Sequence, residues 1–262
     1  MNIQFLSHFL PAPFIRHAQD ALFSFLRLKW TLVTGIGLEV RSRTDWTLYN
    51  DIFVDGEYDE AIHSLISLLS RRDDALVVDL GANVGFFELR LFHLLSSSGI
   101  SPKQLRVAAI EPSAANLREL RRRLRQQGEW ADCVTIVPGL VGKNKSGTAT
   151  MFESHNYGVN TIIDDFKYPG ARRIAVNFVD LDQVFPKNGP VHLLKCDIEG
   201  AELDFVRNYD PFLRRVEIAI FEVHHLVCDV EQLRREIASA GLSRERIIAD
   251  RGDTSVRLFT RE

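Results

Sequence analysis

"LVVDLGANVGFFELRLF", Leu76 to Phe92, decides how the rest of the chain is read. A short apolar run ends in Asp79, Gly81 and Gly85 bracket Asn83, and a helical pattern starts at once behind them. Glycines on such a turn let the backbone come close to a ligand, and the following helix N-terminus presents unpaired N–H groups. The stretch therefore predicts a strand–turn–helix unit that takes a nucleotide-like molecule.

The 262 residues suffice for one large α/β domain, or for a domain with an appended subdomain. Hydrophobic residues at 45% and charged residues at 26% give an ordinary globular balance and exclude wholesale disorder. A net charge of −3 and a pI near 6.3 make no electrostatic case for nucleic acid. Cys133, Cys196 and Cys228 lack CxxC spacing, and two of them sit in apolar strand-like runs. They read as buried thiols in a reducing, cytoplasmic compartment.

The first 40 residues are rich in Phe and Leu, but Pro11, Pro13, Arg16, Asp20, Arg27 and Lys29 interrupt them. No window has the apolar length of a membrane span, and neither a basic start nor a small-residue cleavage site marks a signal peptide. The segment is expected to cap the domain's own core; the competing reading is an amphipathic helix in peripheral contact with a membrane or partner.

From Leu76 onward strands and helices alternate. "ALVVDLG", "LRVAAIEP", "CVTIVPG", "VHLLKCDIEG" and "RVEIAIFEVHH" are strands too apolar to be one-sided, so they fit a parallel sheet covered on both faces. "SAANLRELRRRLRQQG" predicts a helix capped by Ser113 and stopped at Gly128, and "VEQLRREIASAG" another. The tail around "DRGD" predicts an antiparallel hairpin at one edge. The expected fold is a doubly wound, mostly parallel seven-stranded Rossmann-like sheet with that hairpin and a helical N-terminal extension over residues 1–69. Residues 70–262 form the ligand-binding domain, with an insertion at about 142–190 that reads as added strands around a polar loop. The arginines of 118–125 read as a solvated helix face.

In open α/β sheets ligands sit beyond the carboxyl ends of the strands, where strand order reverses. Glu111 ends the second strand, where a carboxylate can accept the vicinal hydroxyls of a ribose. A nicotinamide cofactor would use the same two features, but it calls for G-x-G-x-x-G, which is absent here. Asp79 suits a ligand that carries an ammonium group better than a pyrophosphate. S-adenosylmethionine has that group, a ribose and no phosphate. A nicotinamide-dependent oxidoreductase and a non-catalytic cofactor-binding protein remain the competing readings.

"VVDLGANVGFF", "VAAIEPSAANLRELRRRL", "VTIVPGLVG", "LLKCDIEGAELDFV" and "IAIFEVHH", in this order and spacing, resemble the FkbM family of S-adenosylmethionine-dependent methyltransferases. "RSRTDWTLYNDIFVDGEYDE" resembles the segment that precedes the cofactor domain there. The likeness covers roughly residues 40 to 225. It implies methylation of a hydroxyl oxygen on a sugar, glycan or natural-product scaffold. Asp79, Gly81, Asn83 and Gly85 would then cradle the methionine part, Glu111 the ribose, Ser113 and Asn116 the nucleoside, and Gly139, Leu140 and Val141 the adenine.

Three further signals concern the acceptor. Asp197, at the carboxyl end of "LLKCDIEG", is expected beside the reactive methyl, and Glu202 is expected to serve only the first turn of the next helix. Glu222 and His224 are expected to face Asp197 across the mouth of the site, as base or, with Asp197, as divalent-metal ligands, although metal is not expected. His225 and the loop residues His155, Asn156, Tyr157 and Asn160 are the expected acceptor contacts. The implied partner is a small-molecule or glycan acceptor, with no nucleic acid and no transmembrane segment. The sequence leaves a homo-oligomer open.

Overall fold

A computed structural model describes residue 25 and residues 27–154, 160–164, 170–185 and 189–261. The chain enters through a hairpin of β1 (Leu28–Thr31) and β2 (Gly37–Val40). Helix α1 (Arg43–Tyr49), a π-helical turn (Asn50–Val54) and α2 (Asp59–Leu69) follow. Alternation then begins with β3 (Ala75–Leu80), α3 (Phe86–Ser97), β4 (Leu105–Glu111), α4 (Ala114–Leu124) and β5 (Val134–Pro138). The insertion holds the antiparallel pair β6 (Thr148–Glu153) and β7 (Arg172–Asn177), then the short α5 (Leu181–Val184). The rest is β8 (Val191–Cys196), α6 (Glu202–Asn208), α7 (Asp210–Leu213), β9 (Val216–His224), α8 (Val230–Ser239), β10 (Arg244–Asp250) and β11 (Thr254–Thr260).

Seven strands form one sheet in the order β10-β11-β9-β8-β3-β4-β5. β5, β4, β3, β8 and β9 run parallel, while β11 lies antiparallel between β9 and β10. The apolar strands bury both faces, as a sheet covered on both sides requires. Val77, Val107 and Leu193 pack towards α2, α3 and α4, whereas Val78, Leu194 and Phe221 pack towards α6, α7 and α8. Chain order reverses between β3 and β8, so the turns after these two strands meet at the switch point. The insertion contains the expected strands, but Leu181–Val184, read from sequence as part of a strand, is a short helix capped by the Asp180 side chain.

Ile36, Leu38 and Val40 of the first hairpin are buried in the same core as Val77 and Leu193, so this part of the N-terminal stretch covers the domain's own apolar surface. Residues 1–24 lie outside the described part. No helix among the described residues is long and apolar enough to cross a membrane.

Two local expectations are corrected. Helix α4 ends at Leu124, and Gly128 instead opens a 3-10 turn over Gly128–Cys133. The arginine-rich face is not wholly solvated. Arg123 is buried, pairs with the buried Asp45 at 2.8 Å, and lies 4.5 Å from the Phe86 ring centre. It also donates to the Glu39 carbonyl, and Arg122 pairs with the Glu39 side chain, so the two arginines bind the first hairpin to α4.

Candidate active site

The turn after β3 is fixed from two sides. Gly81 and Ala82 donate their N–H groups to the Ile110 carbonyl at 3.0 Å each, and Asp197 N–H donates to the Leu80 carbonyl at 3.0 Å. Gly81 has φ +80°, and a Cβ there would lie 1.8 Å from the Asp197 carbonyl oxygen. Only glycine lets the two turns approach this closely. Asn83 also takes a positive φ, +51°. Gly85 opens α3, where a Cβ would strike Leu120 of α4; its role is helix packing.

A cleft opens at this junction. Gly81, Asn83, Ile110, Glu111, Asn116 and the stretch Gly139–Val141 form one side of it, and Asn160, Asp197, Ile198 and Glu199 the other. A larger cavity, about 850 Å³, lies at the opposite end of the strands, between α2 and the starts of β8 and β9. The cleft is the better candidate site despite its smaller size, because the loop amides and acidic groups converge there.

Glu111 is buried and already serves the chain. Its Oε2 accepts from Asn83 N–H at 2.9 Å, while Oε1 accepts from Ser113 N–H at 2.8 Å and Asn116 Nδ2 at 3.3 Å. A carboxylate offers about four acceptor positions. Three are filled, so Glu111 retains room for one ribose hydroxyl, on Oε2, where the sequence suggested two. Burial pushes its pKa up to about 8, against the pull of the two backbone donors. Ser113 faces elsewhere: its hydroxyl accepts from Asn116 N–H at 3.2 Å and donates to Glu153 at 2.7 Å.

Two buried polar atoms of cleft residues have no hydrogen-bond partner among the described residues, the Asn83 Oδ1 acceptor and the Asn160 Nδ2 donor. Buried polar atoms are paired in finished structures, so these two mark where a polar ligand completes the site. Together with the free position on Glu111, they fit a nucleoside with hydroxyl and amino groups.

Asp79 departs from expectation. It is fully buried, stands opposite Lys195 in the β3–β8 register, and does not line the cleft. The Lys195 ammonium lies 3.1 Å from Asp79 and 3.6 Å from Asp197, and donates to the Gly81 carbonyl at 2.7 Å. Asp79 is thus answered by a cation of its own chain, not by a ligand's ammonium. Burial opposes the charge on Lys195, but the carboxylates of Asp79 and Asp197 outweigh it and raise its pKa. Glu88, on the first turn of α3, is also fully buried beside Asp79. Burial, then the Asp79 charge, raises Glu88 well above the usual carboxyl range, and burial raises Asp79 too, against the pull of Lys195.

At the other wall, β9 lies beside β8 and brings Glu222 and His224 towards Asp197. Burial first, then the charge of Asp197, pushes Glu222 up to about 8; Arg251 lies 3.8 Å from it. His224 is held between Glu202 at Nδ1, 3.1 Å, and Glu199 at Nε2, 3.3 Å. Burial works against its charge, but these two hydrogen bonds prevail and push its pKa up to about 12. So held, His224 is a donor with no lone pair to act as a base. Glu202, assigned by sequence only to the first turn of its helix, is fully buried and serves both His224 and the Gly200 N–H.

His225 is not brought into the cleft. Its Nδ1 donates to the Gly252 carbonyl at 2.9 Å, which leaves Nε2 to accept from the Ser255 hydroxyl at 2.8 Å; both belong to the β10–β11 hairpin. Asn160 does reach the cleft, with Oδ1 accepting from Ser154 N–H at 2.9 Å. His155, Asn156 and Tyr157 lie outside the described residues.

Lys195 and Glu199 belong to the sequence signal "KCDIEGAE", on the strand face of Asp197, but the sequence reading assigns them no chemistry, and it does not single out Glu88 or Tyr58 at all. Glu199 was within reach, since it stands two residues after Asp197 in "DIEGAE". Tyr58 is buried, with its ring centre 5.8 Å from the Lys195 ammonium. Nothing local to "GEYDE" signals that placement.

Comparison with known proteins bears on the family and the fold. The family model for the methyltransferase FkbM domain matches residues 79–243. The N-terminal domain of EvdMO1, solved with SAH bound, has a TM-score of 0.50 at 12% identity, covering 98% of this chain and 99% of that one. Methyltransferase FkbM from Methylobacillus flagellatus KT is 18% identical with a TM-score of 0.47, over 95% of this chain and 60% of that protein, so this chain spans under two thirds of its length. A precorrin-6y C5,15-methyltransferase from Geobacter metallireducens GS-15 gives a TM-score of 0.42 at 15% identity, over 78% and 87% of the two chains. No curated protein matches the sequence. The fold is that of a Rossmann-like class I methyltransferase, and the matched domain spans more than half of the chain: this protein belongs to the methyltransferase FkbM domain family.

Proposed function

We propose that the protein transfers the methyl group of S-adenosylmethionine to a hydroxyl of a sugar, glycan or natural-product scaffold. The observation that carries the reading is the cleft at the switch point, where a free acceptor position on Glu111 and the orphaned Asn83 and Asn160 atoms face the carboxylates of Asp197 and Glu199. In this reading Gly81 and Asn83 hold the methionine part, Glu111 and Asn116 the ribose and nucleoside, and Gly139–Val141 the adenine. The cofactor supplies an electrophilic methyl on a sulfonium.

The chain's part is to hold an acceptor oxygen in line with that methyl and to take its proton. Asp197 is placed for both. As the O–C bond forms, the C–S electron pair stays on sulfur and the hydroxyl proton passes to Asp197. Glu222 flanks the same mouth. Residues 1–69 are assigned to the acceptor side and 70–262, with the insertion at 142–190, to the cofactor domain. A cytoplasmic location goes with three unpaired thiols, two of them buried.

The test is calorimetry with S-adenosylmethionine and S-adenosylhomocysteine, then methyl turnover on a panel of hydroxylated acceptors. Both cofactor forms are expected to bind, and Glu111→Ala is expected to weaken both about tenfold (about 1.4 kcal/mol), through loss of one hydrogen bond to the ribose and of the carboxyl anchor on Asn83 N–H. Unchanged affinity in Glu111→Ala sinks the ribose assignment.

A further inference from the structure

The chain places Asp197, Glu199 and His224 so that one ligand atom from each lies within 4.8 Å of the others. We propose that these three side chains bind a divalent transition-metal ion at the floor of the cleft. His224 Nε2 and Glu199 Oε2 stand 3.3 Å apart. With metal–ligand bonds of about 2.1 Å, adjacent ligands of an octahedral ion lie about 3.0 Å apart and opposite ones about 4.2 Å. The triad closes on such an ion with side-chain adjustment alone.

A second observation is independent of that spacing. Glu202 is fully buried, and its Oε1 lies 3.1 Å from His224 Nδ1. Metal-bound histidines are held this way, with the far ring nitrogen donating to a carboxylate so that the near one presents its lone pair to the ion. The other Glu202 oxygen, also buried, has no hydrogen-bond partner among the described residues. Lys195 does not supply one, being committed to Asp79, Asp197 and the Gly81 carbonyl. Four carboxyl groups, of Asp197, Glu199, Glu202 and Glu222, thus gather around one histidine, and an ion would take the place of its Nε2 proton. One imidazole and two carboxylates suit Mn²⁺, Fe²⁺ or Zn²⁺ better than Mg²⁺, which prefers oxygen throughout.

Asp197 and Glu199 line the cleft and His224 sits behind them, which leaves the ion's open positions towards the acceptor. There it would lower the pKa of a bound hydroxyl, and this consequence, unlike the binding itself, rests on the methyl-transfer reading.

The test titrates Mn²⁺ into chelator-treated full-length protein and follows free Mn²⁺ by electron paramagnetic resonance, with and without S-adenosylhomocysteine. One ion per chain is expected. Glu199→Gln and His224→Gln should each weaken it at least tenfold, Glu202→Gln by about 10- to 100-fold as a second-layer residue, and Glu222→Gln not at all. Circular dichroism and S-adenosylhomocysteine binding report whether each variant is folded. Should the variants fail to fold, electron-spin-echo modulation from one directly bound imidazole nitrogen in the wild-type protein decides instead. Absence of saturable Mn²⁺ binding, binding indifferent to Glu199→Gln, or no imidazole modulation overturns the proposal. Loss of S-adenosylhomocysteine binding with Mn²⁺ binding intact would instead overturn the cofactor assignment.

Discussion

Lys195→Met would remove the cation that, among the described residues, pairs with Asp79 and Asp197 at the β3–β8 junction. Lys195 lies 3.1 Å from Asp79, whose carboxyl group is fully buried and whose other close partner is the buried Glu88. At an effective dielectric of about 20, a pair at that separation is worth about 5 kcal/mol of attraction. Methionine keeps the volume but leaves Asp79 uncompensated and deprives the Gly81 carbonyl of its donor. Breaking a buried pair from one side costs about 3–5 kcal/mol, which in a chain of this size lowers the Tm by roughly 6–20 °C. The variant's escape is a further proton taken up by the Asp79–Glu88 pair, so its loss should be smaller at low pH than at high pH.

Thermal and urea denaturation at two pH values measure this directly. Adding Asp79→Asn removes the stranded charge and should recover much of the loss. A deficit of Lys195→Met below about 1 kcal/mol, the size of an exposed pair, would refute the argument. So would a double variant no more stable than Lys195→Met alone.

Gly81→Ala adds a Cβ 1.8 Å from the Asp197 carbonyl at φ +80°, so it should abolish S-adenosylhomocysteine binding in calorimetry; Gly99→Ala, at φ +74° with open space around it, should cost only about 1–2 kcal/mol and leave binding intact. Ser113→Ala should cost about 1 kcal/mol through loss of the α4 cap, while cofactor affinity holds, because Ser113 meets Glu111 through its backbone N–H. A large loss of affinity in that variant would return the Ser113 hydroxyl to the binding site. Glu111 and Glu222 both have folded-state pKa values near 8, above the ordinary 4.5, so the folded chain binds more protons than the unfolded chain between those limits. Stability should therefore fall as pH rises from about 4.5 to 8, and a Tm higher at pH 8.5 than at pH 6 would contradict these shifts.

Much of the fold was legible because apolar patterning is local and strong. "ALVVDLG", "LRVAAIEP" and "RVEIAIFEVHH" are continuous enough to demand burial on both faces, and glycine at 81 and 85 marks the turn whatever the partner strand is. The resemblance to the FkbM family drew on these motifs, and the matched domain, residues 79–243, covers most of them but not the upstream "RSRTDWTLYNDIFVDGEYDE". The misreadings have one cause, which is that a titratable group's role depends on what lies across from it. Asp79 could be assigned to a ligand's ammonium because nothing in "VVDLG" announces that Lys195, 116 residues later, stands opposite in register. Glu202 is first-turn helix chemistry in sequence and a buried histidine partner in space. His225 and His224 are adjacent in the chain, yet strand alternation and the returning hairpin send one to the β10–β11 turn and the other between two glutamates.

The sequence alone determined the sheet and its turn and narrowed the ligand to a nucleotide-like molecule, since these follow from steric freedom and apolar period along neighbouring residues. Which carboxylates face the cleft, which are neutralised from within and which crowd one histidine was decided only by tertiary structure. Charge acts through space over a few ångströms, and only the folded chain fixes those distances.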